Sequence, residues 1–216
     1  MDIQFGYNFA CFLFKKGIQN KADVMLIISQ KNWRKKRRKW NPLKIYDLLI
    51  LQKKKYKITK TLKPFGFSIQ FVLNVNSTNF IKKIPNNTIG ICTGFNQIFK
   101  KDLIDSLTDF VNIHPSLLPY YRGPTPVEWC IENKEKHTGW TLHQISEEID
   151  RGEILYQEVI KIKSTSVNEV KSDMIKTAKI ILLDYLNKKI TGKYFQQKKV
   201  NAVAIYSKKI DYLSFY

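Results

Sequence analysis

The amino-acid sequence predicts an α/β domain, because short apolar runs alternate with segments of helical periodicity along all 216 residues. Hydrophobic residues make up 44% of the chain and aromatic residues 13%, which suits a packed core and is too apolar for a disordered protein. No window approaches about eighteen consecutive apolar residues, so a transmembrane helix is not predicted. Since the chain contains no repeat, linker or low-complexity segment, we expect one domain over residues 1–216.

Six segments have the apolar or alternating pattern of β-strands, and an Asp-Arg-Gly turn at 150–152 separates the last two. These segments are residues 22–29, 69–75, 88–94, 109–114, 138–146 and 154–162.

Five further segments predict helices. These are residues 43–52, 78–84, 100–107, 123–133 and 166–190. Ser77 and Thr78 offer an N-cap for the second helix. The fourth has a proline near its first turn, where a missing N–H does no harm.

The cysteines and the N-terminus bear on the cellular compartment. Cys11, Cys92 and Cys130 are odd in number and lack the spacing of metal ligands, so neither a disulfide framework nor a metal site is predicted. The apolar run near the N-terminus follows no basic region and precedes no small-residue cleavage site, unlike a signal peptide. We therefore expect a cytoplasmic protein without membrane insertion.

The formal charge of +19 has its densest cluster in the sequence QKNWRKKRRKWNPLK at residues 30–44. Trp33 and Trp40 lie within this cluster, and aromatic side chains of this kind can stack on nucleic-acid bases. Three interpretations stay open for the basic residues 31–39: a nucleic-acid contact, a rim that attracts an anionic small substrate, or a solvated surface.

The stretch NIHPSLLPYYRG at residues 112–123 contains the strongest candidate for chemistry. His114 lies at the carboxyl end of the predicted strand 109–114, which is where open α/β sheets bind their ligands. Asn112 precedes it by two residues, so both side chains leave the same face of the strand. The alternative is a capped strand end in which Asn112 and His114 only satisfy backbone groups.

An amide donor beside a titratable imidazole suits acyl transfer to an amine. Oriented N–H donors stabilise the developing oxyanion, and a histidine can exchange the amine proton near neutral pH. A nearby carboxylate would orient the ring. Glu147, Glu148 and Asp150 are all candidates from local sequence, and Asp150 is the best placed for burial at the turn.

The segments NIHPSLLPYYRGPTPVEW and TGWTLHQISEEIDRGEILYQ resemble the formyltransferase family, and the likeness runs from about Ile89 to Gln157 and includes TGFNQIF at 93–99. Members of this family transfer a formyl group from N10-formyltetrahydrofolate to an amine. The resemblance implies a Rossmann-like fold with a mostly parallel central sheet flanked by helices. It also implies that the strand ends bind the folate.

The resemblance assigns roles to particular residues. Asn112 would donate to the formyl oxygen, His114 would stabilise the oxyanion and assist proton movement, and Asp150 would hold His114 and help to take the amine proton. The pteridine ring would be cradled by two short stretches of backbone, which comprise Phe95, Asn96, Gln97 and Ile98 in the first and Ser146, Glu147 and Glu148 in the second.

We expect the Tyr121-Arg122-Gly123 segment to bind the acceptor substrate. This segment resembles the methionyl-tRNA and sugar branches of the family more than the glycinamide ribonucleotide branch. The Gly-Ser-Asn phosphate loop of the glycinamide ribonucleotide branch is not found after the first strand. The chain also ends soon after the expected end of the catalytic domain. We therefore favour an amino-deoxy sugar of a nucleoside-diphosphate sugar, an anionic substrate used for bacterial surface polysaccharides such as O-antigen. Methionyl-tRNA and glycinamide ribonucleotide are the alternatives.

The sequence departs from the family at its start, where MDIQFGYNF replaces the strongly apolar first strand. Either this strand has an atypical sequence or it is shortened. Two competing functions remain. A non-catalytic relative would bind nucleic acid through the charge of +19 without depending on Asn112, His114 and Asp150, whereas a hydrolase would use these three residues to release formate from the donor. Family members often pair through the C-terminal part of the domain, so a homodimer is an expectation.

Overall fold

The structure is a computed structural model that describes residues 25–29, 60, 68–95 and 97–191. The described residues divide into two compact units. The larger contains residues 84–94 and 98–191, and the smaller contains the rest. The expected single domain over 1–216 stays a prediction, and the predicted helix 43–52 and the basic residues 31–39 lie outside the described ranges.

The described residues of the smaller unit include two parallel strands and a short helix after them. Strand β1 (Met25–Ser29) pairs with β2 (Ser68–Val72), so the described part of the predicted strand 22–29 is a strand, and the predicted strand 69–75 is found one residue earlier and ends at Val72. Helix α1 (Thr78–Ile81) follows, with Ser77 at its N-cap as predicted. The Ser77 side chain makes no capping hydrogen bond, and its hydroxyl donates to the Asn74 carbonyl. Helix α1 ends before the predicted residue 84.

The larger unit is built on a four-stranded sheet in the order β3-β4-β5-β6. Strand β3 runs parallel to β4, while β4–β5 and β5–β6 are antiparallel pairs. The antiparallel arrangement of β5 and β6 follows from the short turn between them, since a parallel pair needs a longer crossover. The bounds are Ile89–Cys92 for β3, Asp109–His114 for β4, His137–Gln144 for β5 and Ile154–Lys161 for β6.

Three helices accompany this sheet: α2 (Lys101–Asp105), α3 (Pro126–Glu132) and α4 (Val167–Ile190). All three were predicted, and α2 and α3 are shorter than expected. None of the helices in the described part of the chain is long and apolar enough to cross a membrane.

The core of the larger unit lies between α4 and the sheet. One face of α4 is buried at intervals of three or four residues, as an amphipathic helix requires, and this stripe consists of Val170, Met174, Ala178, Leu182 and Tyr185. The fully buried Trp140 of β5 contributes its ring to the core, and its indole N–H donates to the Met174 carbonyl at 2.7 Å.

A buried carboxylate ties the C-terminal half of α4 to the start of β4. Oδ2 of Asp109 accepts a hydrogen bond from the Tyr185 hydroxyl at 2.7 Å and forms an ion pair with Lys189. Its Oδ1 accepts from Gln144 Nε2 at 2.9 Å. Burial raises the pKa of Asp109, but Lys189, Tyr185 and Gln144 outweigh burial and hold it below its ordinary value. The cluster thereby fixes the end of β4 opposite to His114.

Candidate active site

The carboxyl end of β4 presents Asn112 and His114 on one face of the sheet, as the sequence predicts. Asn112 lies between Cys92 of the parallel strand β3 and His143 of the antiparallel strand β5. His114 pairs with Thr141 in the same register and is only 5% exposed. The site is therefore held by three adjacent strands.

The orientation of the His114 ring is fixed by contacts at both nitrogens. Nε2 lies 2.8 Å from the Tyr121 carbonyl oxygen, and Nδ1 lies 3.4 Å from Oδ2 of Asp150. A carbonyl oxygen can only accept a hydrogen bond, so Nε2 must carry the hydrogen. In the neutral ring, Nδ1 then presents a lone pair toward Asp150.

Asp150 is positioned by the loop that follows β4. The backbone N–H of Gly123 donates to its Oδ2 at 2.7 Å, and Arg122 Nε donates to its backbone carbonyl at 3.1 Å. The residue has φ 51°, a left-handed conformation that is uncommon outside glycine. Among the three carboxylates that the sequence left open, Asp150 is the one that lies beside His114.

The Asn112 carboxamide completes the group. Its Nδ2 lies 3.1 Å from Nε2 of His143 and 3.4 Å from Oδ1 of Asp150. The opposite amide orientation would place two oxygen atoms against each other, so these contacts support the orientation with Nδ2 inward. The structure thus brings Asn112, His114 and Asp150 together, as the sequence analysis expects.

The buried environment determines which of these groups are charged. Burial lowers the pKa of His114, and the opposing effects of Asp150 and the Tyr121 carbonyl do not reverse this. Burial raises the pKa of Asp150, but His143, His114 and the Gly123 N–H outweigh burial and hold the pKa below its ordinary value. At neutral pH the site therefore contains a neutral imidazole beside a carboxylate.

The residues predicted to bind the acceptor, Tyr121, Arg122 and Gly123, contact the catalytic candidates, and their role in acceptor binding stays a prediction. Tyr121 and Gly123 are bonded to His114 and Asp150 through backbone atoms, and Arg122 through its side chain. The Tyr121 ring is buried, and its hydroxyl donates to Glu135 at 2.7 Å. Tyr121 also has positive φ, at 55°, and such strained residues cluster at functional sites.

The residues predicted to cradle the pteridine fall into two groups. Ser146, Glu147 and Glu148 are exposed in the loop that leads to Asp150, where Glu147 accepts from the Lys101 backbone N–H at 3.2 Å. Ile98 is 60% exposed in the same unit.

The remaining predicted pteridine contacts belong to the smaller unit or lie outside the described residues. Phe95 is half-buried, and Gln97 is buried and accepts from the Val75 N–H at 3.2 Å. Asn96 lies outside the described residues.

His143 is the buried polar residue of the site that sequence reasoning missed. Its Nδ1 lies 2.8 Å from the Gln144 carbonyl oxygen, and its Nε2 faces Asn112 and Asp150. The alternating pattern of β5 assigned it to a strand, but only the antiparallel register places it opposite Asn112. Within the described ranges, no group of three or more His, Cys, Asp and Glu residues could hold a metal ion.

Known proteins resemble this chain in sequence. The methionyl-tRNA formyltransferase of Wigglesworthia glossinidia brevipalpis is 35% identical over 139 residues, which are 63% of this chain and 43% of that protein. The chain thus spans less than half the length of this curated relative.

Two solved structures are similar in fold. Glycinamide ribonucleotide transformylase 1 from Symbiobacterium toebii has a TM-score of 0.62 at 15% identity, with 85% of this chain and 83% of that chain covered. WlaRD, a sugar 3N-formyl transferase solved in the presence of dTDP and 5-N-formyl-THF, has a TM-score of 0.58 at 19% identity, with 89% and 64% covered. The predicted α/β formyltransferase fold is thereby confirmed.

The sequence profile of the family described as Formyl transferase matches residues 8–186, which is most of the chain. This match extends well beyond the segment from Ile89 to Gln157 that resembles the family. The chain belongs to the formyl transferase family.

Proposed function

We propose that the protein transfers a formyl group from N10-formyltetrahydrofolate to the primary amine of an acceptor. The observation that carries this proposal is the buried pair formed by His114 Nδ1 and Asp150 Oδ2, 3.4 Å apart, beside the Asn112 amide. A capped strand end would need none of these groups to face each other.

The His114–Asp150 pair is suited to receive a proton. Nε2 already donates to Tyr121, so Nδ1 bears a lone pair, and Asp150 is ionised. Two acceptors therefore face each other with no hydrogen between them. A proton placed between them is shared by Nδ1 of His114 and Oδ2 of Asp150. The pair can therefore act as the general base for the amine, whose N–H becomes acidic as the nitrogen attacks.

The Asn112 amide is suited to stabilise negative charge. One of its hydrogens faces His143 at 3.1 Å, and the other makes a long contact of 3.4 Å with Asp150. A formyl oxygen can replace the longer contact and accept that hydrogen. Donors aligned in this way are worth about a hundred- to a thousandfold in rate.

These roles give a balanced reaction. The amine nitrogen forms a bond to the formyl carbon, the C=O electrons move to the oxygen, and Asn112 donates to that oxygen. The His114–Asp150 pair takes one proton from the nitrogen. The C=O bond then re-forms, the bond to N10 breaks, and the pair returns the proton to N10.

The formyl donor is supported by the exposed loop before Asp150 and by one solved relative. Ser146, Glu147 and Glu148 are accessible to a ligand that lies against Asp150. The structure of WlaRD was solved in the presence of 5-N-formyl-THF. N10-formyltetrahydrofolate supplies an activated formyl group and needs no metal at the site.

We favour an amino-deoxy sugar of a nucleoside-diphosphate sugar as the acceptor, and hence a role in bacterial surface polysaccharides. The similarity to WlaRD, which acts on a sugar and was solved with dTDP, supports this choice. The unit that contains the site carries little net charge, since residues 97–191 include 13 Lys and Arg against 14 Asp and Glu. That balance suits a small substrate better than a polyanion.

Methionyl-tRNA is the second candidate, and two observations favour it. The curated relative from Wigglesworthia acts on that substrate by its name. The positive charge of the chain lies outside residues 97–191 and includes the basic residues 31–39, which can attract RNA. Glycinamide ribonucleotide is the third candidate, on the fold similarity alone.

A panel assay tests the proposal. The protein is supplied with N10-formyltetrahydrofolate and, in turn, with amino-sugar nucleotides, methionyl-tRNA and glycinamide ribonucleotide, and tetrahydrofolate release is followed. We expect turnover that depends on an amino-sugar nucleotide. Turnover only with methionyl-tRNA would overturn the acceptor choice, and formate release without any amine would indicate hydrolysis.

A further inference from the structure

His143 is almost completely enclosed, at 2% exposure, and both of its ring nitrogens have partners. Nδ1 lies 2.8 Å from the Gln144 carbonyl oxygen, which can only accept, so Nδ1 carries a hydrogen. Nε2 lies 3.1 Å from Asn112 Nδ2, which can only donate. The two contacts together select the neutral tautomer with the hydrogen on Nδ1.

This tautomer fixes the plane of the Asn112 carboxamide. With one amide hydrogen held by His143, the second hydrogen has a defined direction, toward Oδ1 of Asp150 at 3.4 Å. Without His143, the amide could rotate about its terminal torsion, which is broad and roughly two-fold in asparagine. Rotation would turn the amide oxygen toward the site and remove the donor.

We propose that His143 is a positioning residue for formyl transfer, which holds the Asn112 amide so that one N–H is directed at the formyl oxygen. The inference rests on the proposed function and adds a fourth residue to the three expected from the sequence. His143 is too enclosed to contact the substrate itself, so its effect passes through Asn112. Its neighbours on other elements are His114 of β4, with ring centroids 6.4 Å apart, and Asp150 of the β5–β6 loop.

The first test is independent of catalysis. In the ligand-free protein labelled with 15N-histidine, the imidazole nitrogen resonances distinguish the two neutral tautomers. We expect a hydrogen on Nδ1 of His143 and a bare Nε2. A hydrogen on Nε2 would overturn the proposal, because Nε2 could not then accept from Asn112.

The second test is a double-mutant cycle in formyl transfer, with the acceptor that the panel assay identifies. His143→Met replaces the ring with an apolar side chain that accepts hydrogen bonds only weakly, and we expect kcat to fall about a hundredfold, as for a misplaced catalytic group. The KM for the folate should change little. In an Asn112→Ala background, His143→Met should cost nothing further, since the donor that it positions is gone.

Two further variants make the result specific. His143→Gln retains an oxygen that can accept from Asn112, so it should recover most of the lost kcat. His137→Met, at the exposed first residue of the same strand, is the matched control and should keep wild-type kcat.

The outcomes separate this proposal from the proposed function. Full activity in His143→Met, or an equal loss in the Asn112→Ala background, would overturn the positioning role. A wild-type protein without formyl transfer would instead contradict the proposed function, while the tautomer measurement would still test the geometry. If His143→Met does not fold, His143→Gln and the resonances of the native protein decide the question.

Discussion

The backbone carbonyl oxygen of Tyr121 lies 2.8 Å from Nε2 of His114. This contact decides which nitrogen of the ring is available for chemistry, because a carbonyl oxygen requires a hydrogen on Nε2. Tyr121 is itself held by the bond from its hydroxyl to Glu135. Tyr121 thus acts through its backbone on the His114 ring, while its own ring is buried.

The lowered pKa of His114 predicts a pH dependence of stability. Burial disfavours the charged ring, so the unfolded state binds a proton more readily than the native state. Stability should therefore decrease as the pH falls from about 6.5 toward the native pKa of His114. An NMR titration measures the pKa of His114, and urea unfolding between pH 7 and 5 measures the free energy of unfolding at each pH. A His114 titration above the ordinary value would contradict the buried, neutral ring.

Gly152 is expected to tolerate no side chain. A Cβ at this position would lie 1.7 Å from the Gln144 carbonyl oxygen, the same atom that accepts from His143 Nδ1. In Gly152→Ala the turn must shift, and Asp150 two residues earlier shifts with it. We expect at least about a hundredfold loss of kcat/KM.

The neighbouring surface residue provides the control for that variant. Arg151→Ala removes only an exposed ion pair with Glu148 and should keep activity within about threefold. Equal activities in the two variants would show that the turn does not position Asp150.

Asp109 is expected to stabilise the fold from the end of β4 opposite to His114. Asp109→Asn removes the charge that Lys189 and Tyr185 contact, and charged hydrogen bonds of this kind contribute about 1.5–3 kcal/mol. The native pKa is lowered, so the contribution is present above about pH 3.9 and is lost as the pH falls through the native pKa. Urea unfolding should show a gap between variant and wild type at pH 7 that narrows toward pH 3.

Much of the fold could be predicted because its elements have clear local patterns. Strand β4 was predicted with its observed bounds, since a short run of mainly apolar residues ends there in polar and proline residues. The long helix α4 was predicted to within one residue from its periodic apolar stripe. The short helices α1 and α2 have different bounds, as single-turn elements depend on tertiary contacts.

The site could be predicted as far as strand geometry and the family resemblance reach. Asn112 and His114 were placed together because alternate residues share a face of one strand. Asp150 was selected from its place at the turn and from the family resemblance, and the structure adds the Gly123 N–H and the left-handed backbone that hold it. Finding His143 required the antiparallel register. These relationships join residues that are distant in the chain, so no local pattern contains them.

The most direct measurement of the central claim compares folate binding and single-turnover formyl transfer in the wild type, His114→Ala and Asp150→Asn. If the two residues form one proton-accepting pair, each variant should lose about 10²–10⁴-fold in transfer rate while it still binds tetrahydrofolate. The double variant should lose little more than either single one. Wild-type transfer rates in either single variant would contradict the assignment of the pair.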